Sequence, residues 1–181
     1  MSKYDLRSRA HALSGVSYER SLLVTTSLSP PILDRIGDVD GVRKLSTHFY
    51  DRVYADVDAP WFLGIFASST KVEAIDNQYR FLVQAFGGPG LYGEKKGGRH
   101  TRLVGRHANY NIGVSAARRW MEHMEGAIRD HENLGGEEND VARAYLVDYF
   151  RYTAYYIVVA SEYMRDDQLS GGTQVDGGRV W

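Results

Sequence analysis

The chain has 181 residues, 43% hydrophobic and 25% charged, with a formal net charge of -1 and an isoelectric point near 6.6. This is an ordinary globular composition for one domain, large enough to bury a sizeable core, with no basic excess to hold nucleic acid or an anionic membrane. Cysteine is absent, which removes disulfides, zinc–thiolate sites and iron–sulfur clusters and fits a reducing compartment. A cytoplasmic protein is therefore expected. No run of about 18 apolar residues occurs, so no membrane-spanning helix is expected. The opening MSKYDLRSRAHAL lacks the apolar core of a secretory signal.

Residues 1–37 are mixed in pattern, with a short apolar run at 22–26 and a helix-breaking Ser29-Pro30-Pro31. They read as an N-terminal extension packed on the outside of a core. The first strong helix spans about Asp38 to Tyr54. Val39, Val42, Leu45, Phe49 and Val53 form its apolar stripe, Tyr50 lies beside it, and Asp38 is placed to cap it. Pro60 to Phe66 is an aromatic connector whose rings are expected to be buried. Thr70 and Glu73 then have the spacing of a capping box. A second helix follows from about Lys71 to Phe86, with one stripe at Val72, Ile75, Tyr79, Leu82 and Phe86 and a neighbouring one at Ala74, Gln78 and Phe81.

Gly87-Gly88-Pro89 stops that helix and opens the stretch GGPGLYGEKKGGRHTRLVGRHANYNI, from Gly87 to Ile112. A connection of this length inside a compact domain is usually functional or disordered. A third helix, about Ser115 to Asp130, turns Ala117, Trp120, Met121, Met124 and Ile128 to one face. After Gly135-Gly136 a fourth runs from about Glu138 to Arg165, with a broad aromatic face through Val141, Tyr145, Tyr149, Phe150, Tyr152, Tyr156 and Val159. Residues 166–181 are polar and Gly-rich and read as a flexible tail. The sum is an all-α domain at about 38–165 with no alternating strand and no internal repeat.

The six histidines, His11, His48, His100, His107, His123 and His131, form no zinc spacing such as HExxH. His107 differs from the rest. It ends a short amphipathic piece after a Gly-rich approach, a setting in which one imidazole can point into a core, which suits haem iron better than zinc. Lys95, Lys96, Arg99, Arg102 and Arg106 can hold phosphate or carboxylate groups, or simply form a solvated basic loop. No nucleophile elbow is present, and the glycines at 87–90 end a helix rather than follow a strand, so they are not a phosphate loop. Tyr50, Gln78 and Trp120 are polar-tipped residues on three different helices. They are either core residues with satisfied tips or the walls of a pocket for one small ligand.

Several motifs together resemble a group II truncated haemoglobin of the plant and algal type. They are Phe49-Tyr50-Asp51-Arg52-Val53-Tyr54, Trp61-Phe62 with Ile65-Phe66, Asn77-Gln78-Tyr79 running to Gly87-Gly88-Pro89, then Leu91-Tyr92, Gly105-Arg106-His107, and Ala117 to Met124 around Trp120. The resemblance implies a two-over-two globin-like helical sandwich around non-covalent haem b (iron protoporphyrin IX). It implies His107 as the proximal iron ligand, with Arg106, Tyr92 and His100 facing the propionates. Phe66 and Phe81 pack on the porphyrin, and Tyr110 and Ile112 complete the cofactor site. Tyr50, Gln78 and Trp120 line the distal side, and Ala74 stands where many globins carry a distal histidine. The chain departs from the family at Gly97-Gly98-Arg99-His100-Thr101, which is longer than usual and lacks a proline, and at Asn109, where proline is common.

What the resemblance implies is reversible binding of oxygen, NO or CO at a His-ligated iron, with slow oxygen release, in a storage, sensing or carrier role. An alternative is a haem enzyme performing nitric oxide dioxygenation or peroxide chemistry, which would need an external reductase. A third is a cofactor-free helical interaction protein. Tyr145, Tyr149, Tyr152, Tyr155, Tyr156 and Tyr163 give the fourth helix more aromatic surface than one core face needs. They either pack on the haem and the N-terminal extension or form a homodimer face.

Overall fold

A computed structural model describes residues 3–66, 68–95 and 112–169, and every regular element in them is helical. In chain order these are α1 (Lys3–Ser14), α2 (Tyr18–Ser21), α3 (Leu23–Thr26), α4 (Ile32–Ile36), α5 (Asp38–Tyr54), α6 (Pro60–Leu63), α7 (Lys71–Ala85), α8 (Leu91–Lys95), α9 (Val114–Arg129) and α10 (Asp140–Leu169). A 3-10 turn at Gly64–Phe66 follows α6, and two more at Glu132–Leu134 and Glu137–Asn139 join α9 to α10. The sandwich is built by α5 against α7 and α9 against α10, with α5 also packed on α9. Among the described residues no helix is long and apolar enough to cross a membrane.

The apolar periodicities explain the packing. Val42, Leu45, Phe49 and Val53 of α5 are fully buried, as are Met124 of α9 and Leu146 and Val158 of α10. Thr70 caps α7: its hydroxyl accepts from the Glu73 N–H at 3.2 Å, and the Glu73 carboxylate accepts from the Thr70 N–H at 2.9 Å. Three side chains escape the pattern. Val72 and Val141 are exposed, since each lies in the first turn of its helix, where the stripe has not yet met a neighbour. Trp61 is half exposed while Phe62 beside it is buried, because the single turn of α6 can turn only one of two consecutive rings inward. α10 also continues beyond Arg165 to Leu169.

The start of α5 is not capped by Asp38. Gly37 is the cap residue at φ 101°, Asp38 itself has φ 57°, and no side-chain cap bond forms. Two successive left-handed residues fold α4 back on α5 so closely that a Cβ on Gly41 would collide with the Ile36 carbonyl oxygen. The joint is tied to the loop after α9. The Asn133 amide donates to the Ile36 carbonyl at 2.8 Å, and buried His131 donates from Nε2 to the Gly41 carbonyl at 2.8 Å. His131 Nδ1 accepts from the Asn133 N–H, which assigns the neutral tautomer with its proton on Nε2.

Two hydrophobic clusters form. The main one fills the sandwich and includes Val24 of α3 and Ile32 and Ile36 of α4, all fully buried. The second is made by Ala10, Val16 and Tyr152, with Tyr18 and Tyr156 packed against them. The tyrosines of α10 are therefore divided: Tyr152 and Tyr156 face the N-terminal helices, Tyr145 lies under the Arg20 guanidinium at 5.3 Å, and Tyr149 packs in the main cluster.

Gly41→Ala should lower stability by about 1–3 kcal/mol, the usual cost of forcing atoms into a filled site, whereas Gly64→Ala, whose Cβ would meet open space, should change it far less. Urea unfolding of the two variants measures the difference.

Candidate functional site

A cavity of about 590 Å³ lies inside the sandwich, in the size range of cofactor pockets. α7 lines it with Ala74, Asn77, Gln78 and Phe81, the spacing i, i+3, i+4, i+7 of one helix face. α5 contributes Tyr50, α6 Phe62, the 3-10 turn Ile65 and Phe66, α8 Tyr92, and α9 Ala116, Ala117 and Trp120, with Ile112 just ahead of α9. The far wall is α10, through Tyr149, Phe150, Thr153, Ala154 and Ile157.

The cavity is an aromatic box with a few polar tips. Phe49 packs edge-on against Tyr50 at 4.9 Å and tilted against Trp120, also at 4.9 Å, so one buried ring sets the direction of both. Tyr50 meets Phe66 at 5.7 Å, and Phe81 meets Tyr92 at 5.6 Å. Burial pushes the Tyr50 hydroxyl well above the usual phenol range, with the neighbouring Tyr54 adding to the effect, so it stays protonated as a donor. The side-chain oxygens of Gln78 and Asn77 are buried with no hydrogen-bond partner among the described residues. An unpaired buried polar group costs about 1–3 kcal/mol. Two adjacent ones on a cavity wall are what a site built around a guest leaves behind when only the protein is considered.

Behind this wall lies a charged clamp. Asp56 accepts two bonds from Arg119, at 2.6 and 2.7 Å, and contacts His123 Nε2 at 2.8 Å. Its side chain is only 3% exposed. The Arg119 hydrogen bond, aided by the one to His123 and opposed by burial, holds the Asp56 carboxyl far below the usual carboxylate range. Arg119 precedes Trp120, and the His123 ring stacks on Phe62 at 5.6 Å, so the clamp fixes two cavity residues from outside.

The structure brings together Tyr50, Ala74, Gln78 and Trp120, together with Phe66, Phe81, Tyr92 and Ile112, around this one space. His100, Arg106, His107 and Tyr110 lie outside the described residues. Four histidines stay away from the cavity lining. His11 is exposed on α1, His48 lies 3.8 Å from a Glu132 carboxylate oxygen, and His123 and His131 hold the bonds given above. Among the described residues no cluster of three His, Cys, Asp or Glu side chains could hold a metal ion. Asn77 and Thr153 were not among the sequence candidates, and Tyr149 was one only as a member of the aromatic surplus of the fourth helix. The signal for Asn77 was available in its spacing, three residues after Ala74 and four before Phe81.

Residues 31–156 match the Bacterial-like globin family. Two-on-two hemoglobin-3 of Arabidopsis thaliana is 37% identical over 158 residues, which are 87% of this chain and 84% of that one. Group 2 truncated hemoglobin 3-1 of Lotus japonicus is 44% identical over 118 residues, 65% of this chain and 66% of that one. The chain belongs to the group 2 truncated haemoglobins. Its fold agrees: the group II truncated hemoglobin from Bacillus anthracis superposes with a TM-score of 0.58 at 30% identity, covering 70% of this chain and 89% of that one.

For a truncated haemoglobin the family implies haem and a diatomic gas ligand. The cavity fits that cofactor on its own terms: it has the volume, apolar and aromatic walls, and unpaired polar tips grouped on the α7 side. The Asp56 clamp also makes this globin's stability depend on pH. Since folding lowers the carboxyl pKa, the stabilisation is fully present above about pH 4, the ordinary unfolded value. It is lost as pH falls through the folded one. Asp56→Asn should cost about 1.5–3 kcal/mol at pH 7. The gap between the urea midpoints of the two proteins should begin to narrow below about pH 4 and close only as pH falls through the much lower folded value; a gap that does not narrow at all between pH 7 and about pH 2 would contradict the clamp.

Proposed function

We propose that the chain reversibly binds dioxygen, and diatomic gases such as NO and CO, at non-covalent haem b, with His107 as the iron ligand and slow release of oxygen. The observation that carries this reading is the convergence of Tyr50, Gln78 and Trp120, from α5, α7 and α9, on one cavity that Ala74 also lines. Haem, when bound, supplies an iron at which a diatomic ligand coordinates. The rest is the work of the chain. Phe66, Phe81 and Ile112 present apolar surface to the porphyrin, and Tyr92, with Arg106 and His100, serves its propionates. Tyr110 completes that side. Ala74 offers no imidazole, so α7 leaves the ligand side open.

The Tyr50 hydroxyl, Gln78 amide and Trp120 indole N–H are donors. Tyr50 is 7% exposed and keeps its proton, and among the described residues these groups donate to no protein acceptor that would compete with a ligand. A hydrogen bond to a group carrying charge contributes about 1.5–3 kcal/mol, roughly ten- to a hundred-fold in affinity. Tight holding suits storage, sensing or redox use more than bulk transport. An enzymatic role in nitric oxide dioxygenation would add an external electron donor, and nitrate yield under repeated reduction distinguishes it.

Titration of the purified chain with haemin should produce a Soret band; its absence would overturn the haem reading. In stopped-flow experiments Tyr50→Phe should release oxygen about ten- to a hundred-fold faster. An unchanged off-rate would remove Tyr50 from the set of donors.

A further inference from the structure

The opposite faces of α10 do different things. At about 100° per residue, Tyr149, Phe150, Thr153, Ala154 and Ile157 fall on one side, and this side is the far wall of the cavity. Asp148 and Glu162 fall nearly opposite, with Tyr152 and Tyr156 on the flank between the two sides, and these four meet α1 and α2. Tyr152 stacks with Tyr156 at 5.9 Å and touches Tyr18 at 5.9 Å, and the Arg7 guanidinium covers Tyr18 at 3.7 Å. Ala10 at the centre of the seam is completely buried. Ion pairs pin both ends: Arg20 to Asp148 at 2.6 Å and Arg9 to Glu162 at 2.9 Å. The stretch that makes these contacts precedes residue 31, where the match to the Bacterial-like globin family begins. Among the described residues, none of α1 or α2 lines the cavity.

We propose that α1 and α2 form a haem-retention strap: by filling the back of α10 they hold its front against the cofactor, and their release lets haem escape. The inference rests on the haem reading above. α10 is long and reaches the cavity through a single face, so a shift of its axis moves the whole far wall at once. The strap is fastened by one small cluster and two surface-side ion pairs. Among the described residues the Tyr152 hydroxyl is buried in it with no hydrogen-bond partner, so lifting α1 would restore a hydrogen bond to water. The seam is thus strong enough to hold α10 and weak enough to part locally, as low-stability units of a fold do.

The test uses the full-length chain loaded with haemin and mixed with excess apomyoglobin, which takes up released haem; the Soret change gives the rate of loss. Ala10→Asp puts a carboxylate into the seam and touches no cavity residue. It should lose haem at least ten-fold faster than the wild type, with helix content retained by circular dichroism. Gly41→Ala, which strains the α4–α5 joint, is the control for general destabilisation and should lose haem within about two-fold of the wild type. Equal acceleration in both variants would reduce the strap to ordinary stability and overturn the proposal, as would an unchanged rate in Ala10→Asp when limited proteolysis shows α1 released. If Ala10→Asp does not fold, Arg20→Glu, facing Asp148, should still accelerate loss about three-fold, with restoration by the charge-swapped pair Arg20→Glu with Asp148→Arg; no acceleration, or none restored, overturns it. A wild type that takes up no haemin would sink the haem reading itself, whereas one that binds haem and keeps it in all variants would sink only the strap.

Discussion

A chain of 181 residues whose described helices surround a site of about 590 Å³ must hold the walls of that site in place from outside it. Interiors are normally packed to crystal density, and a residue that faces a guest's site draws fewer dispersion contacts from the rest of the chain. Two of the helices that line this site are held from outside: α9 by the Asp56–Arg119 pair, and α10 by the N-terminal helices.

Within that frame the polar interactions divide by place. Charges sit behind the walls: Asp56 with Arg119 and His123, Arg52 with Asp130, Arg20 with Asp148. The more exposed of these pairs are worth little individually. Asp56 is different because it is nearly excluded from water and its partners satisfy both carboxylate oxygens. It joins the end of α5 to the middle of α9, and through the His123 ring it reaches Phe62. Among the described residues, neutral donors and acceptors are the polar groups that face inward.

Much of the fold was legible in the sequence because periodicity and stop signals are local. Helices α5, α7, α9 and α10 could be placed within a few residues from stripes such as Val42, Leu45, Phe49 and Val53, and the Thr70–Glu73 capping box from its spacing alone. Errors fell at helix starts and short connectors. Val72, Val141, Trp61 and Asp38 each obey a local rule that tertiary geometry overrides. The site was legible only in part. Tyr50, Gln78 and Trp120 share no local pattern, and it was the family resemblance, not spacing, that joined them. Asp56, Arg119 and His123 were out of reach, because contacts across more than sixty positions leave no periodic trace. The same holds for the division of the α10 tyrosines between cavity and N-terminal helices. A helical wheel shows that they occupy several faces, but not what covers each.

Among the described residues that line the cavity, none carries a formal charge. The ionisable groups of this described lining are phenols, and burial drives Tyr50 and Tyr149 away from ionisation. This described part of the wall therefore acts as a dielectric filter. A small neutral gas leaves water at little cost, whereas a small anion would have to shed its hydration with no counter-ion on these walls to replace it. The described residues of the lining thus offer a neutral gas a surface that they do not offer a dissolved anion.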